Sequence, residues 1–349
     1  MTFRMPAEWE PHEATWIGWP TNPEDWPGKL PAVEWAFVEI VRHLARHEHV
    51  HILAPSGETE DAARVKLDMA GVERSSVSFH LLETNRNWLR DAGAIFVREI
   101  QSRALQARHF KFNAWAKYDN FHLDRVIPET MERVAGVLLE KAVIEGAEKN
   151  DWMVLEGGAI DVNGAGLIMT TEECLLSNVQ ERNPGFSKSE IEAALLKNLG
   201  CEHIIWLNRG IDGDDTHGHI DDTARFVAGR VVVVMEEKNP ADPNHEPLAE
   251  NLEILRSYRD AKGGLEVVTL PMPEPTVFDG LKVPASYANF YIANGTVLVP
   301  TFNDPSDRTA LGILQELFPD RAVRGIHAVD LVWGLGTLHC LTQQQPRIG

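Results

Sequence analysis

Apolar runs and amphipathic stretches alternate along this chain with a regular beat. AIDV-NG-AGLIMT, TARFV-AG-RVVVVM and NFYIA-NG-TVLVPTF each read as a β-hairpin, two apolar or β-branched runs about a turn dipeptide. Asn163-Gly164 and Asn294-Gly295 predict type I′ turns, which need positive φ at both central residues; Ala228-Gly229 has weaker turn chemistry. The turns fall 65 and 66 residues apart. Helical periodicity follows each hairpin, in SKSEIEAALLKNLG, PLAENLEILRSYRDAKGG and PSDRTALGILQELFPD. The first carries a capping box, Ser187 to Glu190, with Gly200 beyond its end. Each helix leads into one more strand: HIIWLN, LEVVTLP and AVRGIHA. The unit is hairpin, helix, strand.

Carried back one period, the phase puts a hairpin turn at Arg98, between AIFV and EIQSRALQARHFKF. PAVEWAFVEIVRHLARHEH, VHILAP, SGETEDAARVKLDMA and SVSFHLLE supply the helices and strands of a further unit. At about 65 residues per unit, 349 residues hold five, which predicts a closed α/β ring whose two termini share one unit. The whole chain, 1–349, is expected to be one domain. The repeat also aligns Asp91, Glu156, Asp221 and Ser286, each 65 from the last, at the start of successive lead strands. Equivalent positions in a ring face a common axis, so three carboxylates converge in an anionic pocket that calls for a cation or a proton. Surface strands that begin with acids are the plainer alternative. The glycines beside Asp91 and Glu156 favour the pocket, since they allow a close backbone approach.

Charge fits that picture. The formal net charge of −19 argues against a nucleic-acid partner and favours a cationic one, although acidity also serves solubility. The three cysteines, Cys174, Cys201 and Cys340, have no paired spacing and suggest a reducing compartment. No apolar run approaches a membrane span, and the first twenty residues lack a signal-peptide core, so a cytoplasmic protein is expected.

The candidate chemistry centres on Cys340, in GLGTLHCLTQQQP, behind two glycines and a histidine. A thiol nucleophile needs a base or a cationic neighbour. His219, in GDDTHGHIDDTARF, precedes Asp221 by two residues and shares its face if the segment is extended. Glu156, one unit earlier, is placed to hold the imidazole. His339 is expected to point away from Cys340 along an extended backbone, and His217 to serve its loop. Cys174 and Cys201 read as buried apolar residues, and Asp214, Asp215 and Asp222 as turn formers, solvated acids or local acceptors. The H-x-H triplet at His217–His219 could begin a metal site, but no further ligand set accompanies it. A thiol in an anionic cradle suits a guanidinium, whose N–H donors match carboxylates in bidentate geometry; Asp91 and Asp221 would clamp it.

NWLRDAGAIFV, EGGAIDV, GHIDDTARF and GTLHCLTQQQP, with the opening MPAEWEPHEATWIGWP, resemble the agmatine deiminase and bacterial-type peptidylarginine deiminase family. That family belongs to the guanidino-group-modifying superfamily, whose fold is the five-bladed α/β propeller, or pentein. The resemblance implies that Cys340 attacks the guanidinium carbon and that His219 protonates the departing ammonia. His219 then activates the water that hydrolyses the thiouronium adduct to a ureido product. It further implies that Asp91 and Asp221 hold the guanidinium nitrogens, that Glu156 orients His219 or shares in holding the substrate, and that neither metal nor organic cofactor is required. Gly334 and Gly336 would let the backbone curl round the planar group.

The chain departs from the family pattern at Gly334-Leu335-Gly336-Thr337, where Gly-Gly-Gly-Asn is more usual, and at Ala94, where proline is. Both departures lie near the expected path of the substrate's tail. Agmatine is the favoured substrate, giving N-carbamoylputrescine and ammonia. The alternatives are another guanidine, such as free or peptidyl arginine, and a non-catalytic pentein that only binds. Trp88 and Trp19 are candidates for the tail channel by cation–π logic, or else core aromatics. A homodimer is left open.

Overall fold

The computed structural model describes residues 2–348. Among them are five mixed sheets of one plan, in which a lead strand runs antiparallel to a second and the second parallel to a third. Asp161–Val162, Leu167–Thr171 and His203–Leu207 make one such sheet. Ala224–Ala228, Val231–Glu236 and Glu266–Pro271 make the next. Tyr291–Ala293, Thr296–Thr301 and Ala322–His327 follow the same plan. Ile95–Glu99, Leu105–His109 and Leu138–Lys141 repeat it, with Phe3–Arg4 added at the edge. In the fifth sheet the lead strand is Thr342–Pro346, antiparallel to His12–Gly18, which pairs in parallel with His49–Ala54. The two ends of the chain thus share one sheet.

A parallel pair needs a crossover, and each sheet supplies it with a helix. Lys188–Leu199, His245–Ser257, Pro305–Leu317, Leu30–Leu44 and Ile127–Ala135 fill these positions. Lys188–Leu199 begins at the Ser187/Glu190 capping box and ends at left-handed Gly200, as its sequence predicts. Leu30–Leu44 buries Val33, Phe37, Ile40, Val41 and Leu44 at helical spacing. Phe37 meets the edges of Trp19 and Trp26, and truncating it to alanine would cost about 3–5 kcal/mol.

The hairpin turns differ from expectation. Asn294-Gly295 does close a two-residue turn, but only Gly295 has positive φ, so it is not type I′. The Asn294 side chain instead bonds the backbone N–H and C=O of His12, joining two sheets. At Asn163 the side chain accepts from the N–H groups of Ala165 and Leu167, and this lengthens the loop. A bulge between Phe226 and Ala228 moves the third turn on to Gly229-Arg230. Around Arg98 the ladder runs on to the Arg98–Leu105 pair, and the turn follows it.

Candidate active site

Short helical turns enter four of the five lead strands, and these turns carry the candidate residues. Asp91 lies in Leu89–Ala92, and Glu156 immediately precedes Gly157–Ala159. His219 precedes Ile220–Asp222, which contains Asp221, and Cys340 lies in Leu338–Leu341. The aligned carboxylates therefore sit on turns rather than on strands. Glycine makes the convergence sterically available: a Cβ on Gly158 would lie 2.6 Å from His219 Nδ1, 2.9 Å from Asp91 Oδ1 and 3.0 Å from Asp221 Oδ2. The close approach anticipated for a ligand is made by the protein's own side chains.

His219 is wholly buried among the three carboxylates. Its Nδ1 is 4.0 Å from Asp91 Oδ1 and 3.9 Å from Asp221 Oδ1, while Nε2 is 3.7 Å from Glu156 Oε2. These separations exceed hydrogen-bond range, and both ring nitrogens and Asp221 Oδ1 are without partners. Burial opposes a charge on His219, but Asp91, Cys174 and Glu156 outweigh it and hold the imidazolium well above its ordinary range. Burial pushes Asp91 up to about 6, with Asp221 and Glu156 adding repulsion against the attraction of His219. Asp91 accepts from the Trp115 indole at 2.9 Å and the Gly158 N–H at 3.0 Å. Glu156 goes the other way. Burial works against its charge, but Arg182, 3.2 Å away, and His219 bring it down to about 2.

The Cys340 sulfur receives the Asn289 amide N–H at 3.1 Å and points its own S–H at Asp221 Oδ2, 3.6 Å away. Burial and then the charges of Asp221, Asp222 and Asp91 push the thiol well above its ordinary range. Asn289 is a hub, since its carbonyl also accepts from Thr337 Oγ1 and the His339 N–H.

Cys340 and Asp91 open onto a cavity of about 630 Å³, which Trp88, Trp115, Asp25 and Gly334–Gly336 also line. Glu156, His219 and Asp221 lie behind that surface. A side chain on Gly336 would meet Trp88 at 2.9 Å and the Cys340 sulfur at 3.2 Å; one on Gly334 would meet Trp26 at 2.4 Å. Both glycines therefore admit indoles against the thiol loop. Trp19 does not reach the cavity. It is 1% exposed, packs on Phe37 and belongs to the core, so of the two tryptophans only Trp88 walls the channel.

Several residues were read as bland or passed over. His339 does not point away, because its segment is helical rather than extended: Nδ1 is 2.7 Å from Asp221 Oδ2 and Nε2 is 2.8 Å from Glu8. Glu8 is also 3.0 Å from Arg225 and 3.3 Å from Arg90, and takes the Ile292 N–H. Asp222 is buried and receives Asn289 Nδ2 at 3.0 Å, whereas Asp214 is the local acceptor expected of it, taking the Gly218 and His219 N–H groups. Cys174 is buried beside Glu156 and His219 rather than only among apolar groups.

The fold is a mixed α/β architecture similar to solved agmatine deiminases. The Enterococcus faecalis enzyme, described as catalysing its reaction, superposes with a TM-score of 0.90 at 32% identity, over 100% of this chain and 97% of that one. A substrate-bound C. jejuni agmatine deiminase carrying a cysteine-to-serine substitution gives 0.86 at 27% identity, over 99% and 96%. The Pseudomonas aeruginosa (strain LESB58) agmatine deiminase is 36% identical, with 99% of this chain and 95% of that protein aligned. The family model for Porphyromonas-type peptidyl-arginine deiminases matches residues 4–346, and the chain belongs to that family.

Proposed function

We propose that this protein is an agmatine deiminase, hydrolysing agmatine to N-carbamoylputrescine and ammonia through a cysteine thiouronium intermediate. The carrying observation is Cys340 and Asp91 at the wall of one cavity, backed by an imidazole that three carboxylates surround without satisfying. Agmatine deiminases are among its relatives and structural neighbours. We read the five sheets as blades of a closed ring, a pentein formed by residues 1–349 as a single catalytic unit.

In this reading Asp91 and Asp221 hold the guanidinium nitrogens, and the substrate's charge lowers the thiol's affinity for its proton, which leaves to bulk water. The Cys340 thiolate attacks the central carbon and forms a C–S bond. The C–N bond to the departing nitrogen breaks, and ammonia leaves with a proton from His219, which Glu156 orients. Water then gives a proton to His219 and attacks the same carbon. The C–S bond breaks, the thiolate is restored and the ureido product departs. Each step uses groups of this chain and water. Clamping can supply up to about 7–11 kcal/mol of the barrier reduction.

The cavity also supports the choice of a dication. Glu24, Asp25, Asp119 and Asp215 line it, and Asp25 Oδ2 is buried without a partner. No described helix is long and apolar enough to cross a membrane. Three free buried cysteines support the cytoplasm as its location, and the acidic charge a cationic small molecule rather than nucleic acid as its partner. The deciding experiment incubates the protein with agmatine, arginine and a blocked arginyl peptide, with chelator present, and measures ammonia and ureido product. Turnover of agmatine alone is expected. Turnover of arginine or the peptide alone would replace the substrate, and no turnover would leave a guanidine-binding protein.

A further inference from the structure

Cys174 has no part in the reaction just described, yet it is the third member of a compact donor set. One donor atom each from Glu156, Cys174 and His219 lie within 4.8 Å of one another, and all three residues are buried. The set is held from two sides. Cys174 sits in the turn Glu172–Leu176, whose capping residue Thr171 accepts the Cys174 N–H at 3.0 Å and donates its own O–H to the Gly218 carbonyl, next to His219. Arg182 Nε is shared between Glu156 Oε1 at 3.2 Å and Oε2 at 3.4 Å, and Oε2 also faces His219 Nε2, 3.7 Å away. Neither nitrogen of that wholly buried ring has a hydrogen-bond partner. Nδ1 faces Asp91 and Asp221, the carboxylates to which the proposed reaction assigns the guanidinium. Nε2 remains.

We propose that Glu156, Cys174 and His219 form a binding site for a thiophilic divalent cation such as zinc, whose occupation switches catalysis off. Thiolate, imidazole and carboxylate are the donors zinc takes, at about 2.3, 2.0–2.1 and 2.0–2.2 Å. Ligand atoms on a tetrahedral zinc then lie roughly 3.2–3.7 Å apart, so Glu156 and His219 need little movement to share one. The Cys174 proton and the proton on His219 Nε2 both leave to bulk water as the metal binds, and water or a neighbouring carboxylate takes the fourth position. The bound cation occupies the two groups that the proposed reaction needs together, the proton carrier and the carboxylate that orients it. The binding site rests on geometry alone, and only its effect on turnover rests on the proposed function. Because the set lies behind the cavity surface, inhibition should develop slowly and reverse with chelator.

Cobalt serves as the spectroscopic probe, since a cobalt–thiolate bond gives a charge-transfer band that oxygen and nitrogen ligands do not. Metal-free protein should show this band on adding cobalt, and zinc should displace it. Cys174→Ala should lose the band and, measured against its own metal-free rate, need at least about 100-fold more zinc for half-inhibition. Cys174→Ser nearly preserves the volume and should behave alike, which covers a fold weakened by the alanine cavity. Cys340→Ser should keep the band while losing turnover. A band that persists in both Cys174 variants, or that vanishes with Cys340 instead, overturns the proposal, as does the absence of any band. If no guanidine is turned over, the cobalt measurement still decides whether the site exists.

Discussion

The two oxygens of Asp221 face two differently built polar layers. Oδ2 is taken by His339, behind which Glu8, Arg90, Arg225 and Asp161 form a densely paired network. Oδ1 faces His219 and has no partner, in a layer where Asp91 and Glu156 also crowd the imidazole without bonding it. Both layers are buried, but the rear one balances Glu8 and Asp161 with Arg90 and Arg225, whereas the front one gathers three carboxylates about a single imidazole. An unpaired buried polar group costs about 1–3 kcal/mol, so the front layer is a standing cost that the rear layer holds in place. A planar cation with N–H donors on its edges matches the front layer's carboxylates.

The sharpest way to break the comparison is to remove the reacting atom and leave both layers intact. Cys340→Ser should lower turnover of agmatine at least about 10⁴-fold while the denaturation midpoint stays within about 1 kcal/mol of wild type. Appreciable turnover by the variant would exclude the proposed nucleophile. The rear layer should fail in the opposite manner. Arg225→Met strands Glu8 and Asp161, and should cost about 3–5 kcal/mol in urea unfolding. Burial opposes the Arg225 charge, but Glu8, Asp161 and Asp221 outweigh it and hold the guanidinium above its ordinary range. A near-neutral Arg225→Met would mean the rear layer does not carry the fold.

This division also explains what the sequence could and could not reveal. The front layer is legible because repetition marks it: Asp91, Glu156 and Asp221 share a phase, and His219 lies two residues from Asp221. The five-unit count and the sheet shared by the termini were legible from the same beat. Family resemblance added the roles. The rear layer has no phase. Glu8, Arg90, Arg225, Asn289 and His339 come from five segments whose spacing follows no motif, and only the folded chain brings them together. His339 was misjudged because a four-residue helical turn replaces the extended backbone assumed for it. Trp19 and Trp88 could not be separated by composition, since an indole at a cavity and an indole in a core look alike in a sequence. The turns at Asn163 and Asn294 differ from type I′ because tertiary and local side-chain bonds reshape them.

Between the layers, His339 should act as a positioning residue. Its replacement by alanine frees Asp221 Oδ2 and leaves Glu8 with its arginines. Turnover should fall about 100-fold, with His339→Asn recovering part of it through a surviving N–H. A rise in KM alone, with kcat unchanged, would deny it that role. Smaller still is an acid limb for the front layer. Asp91 stands near 6, and only its ionised form can hold a guanidinium, so kcat/KM should decline about tenfold per pH unit below that value. The cationic substrate stabilises the carboxylate once bound, so the limb in kcat should lie at lower pH. A limb at the ordinary aspartate value would mean that burial does not perturb the front layer.

The finest contrast lies inside the cavity, between its thiol end and Asp25. Burial raises the Asp25 carboxyl to about 7, against the attraction of Arg86 at 3.0 Å. Its Oδ2 is buried and unbonded on the cavity wall, an acceptor suited to a primary ammonium. If it reads the tail of agmatine, Asp25→Asn should lower kcat/KM for agmatine roughly tenfold, the worth of one partly desolvated charge pair. Butylguanidine has the same head without the amine and should be unaffected. The same pairing predicts a pH signature of definite sign. As pH falls through about 7, Asp25 takes up a proton and loses its charge, so the preference for agmatine over butylguanidine should shrink. Asp25→Asn should show the shrunken preference at every pH. An equal loss for both substrates would instead make Asp25 a support for Arg86 and the cavity wall, and would leave the tail to Glu24 or Asp119.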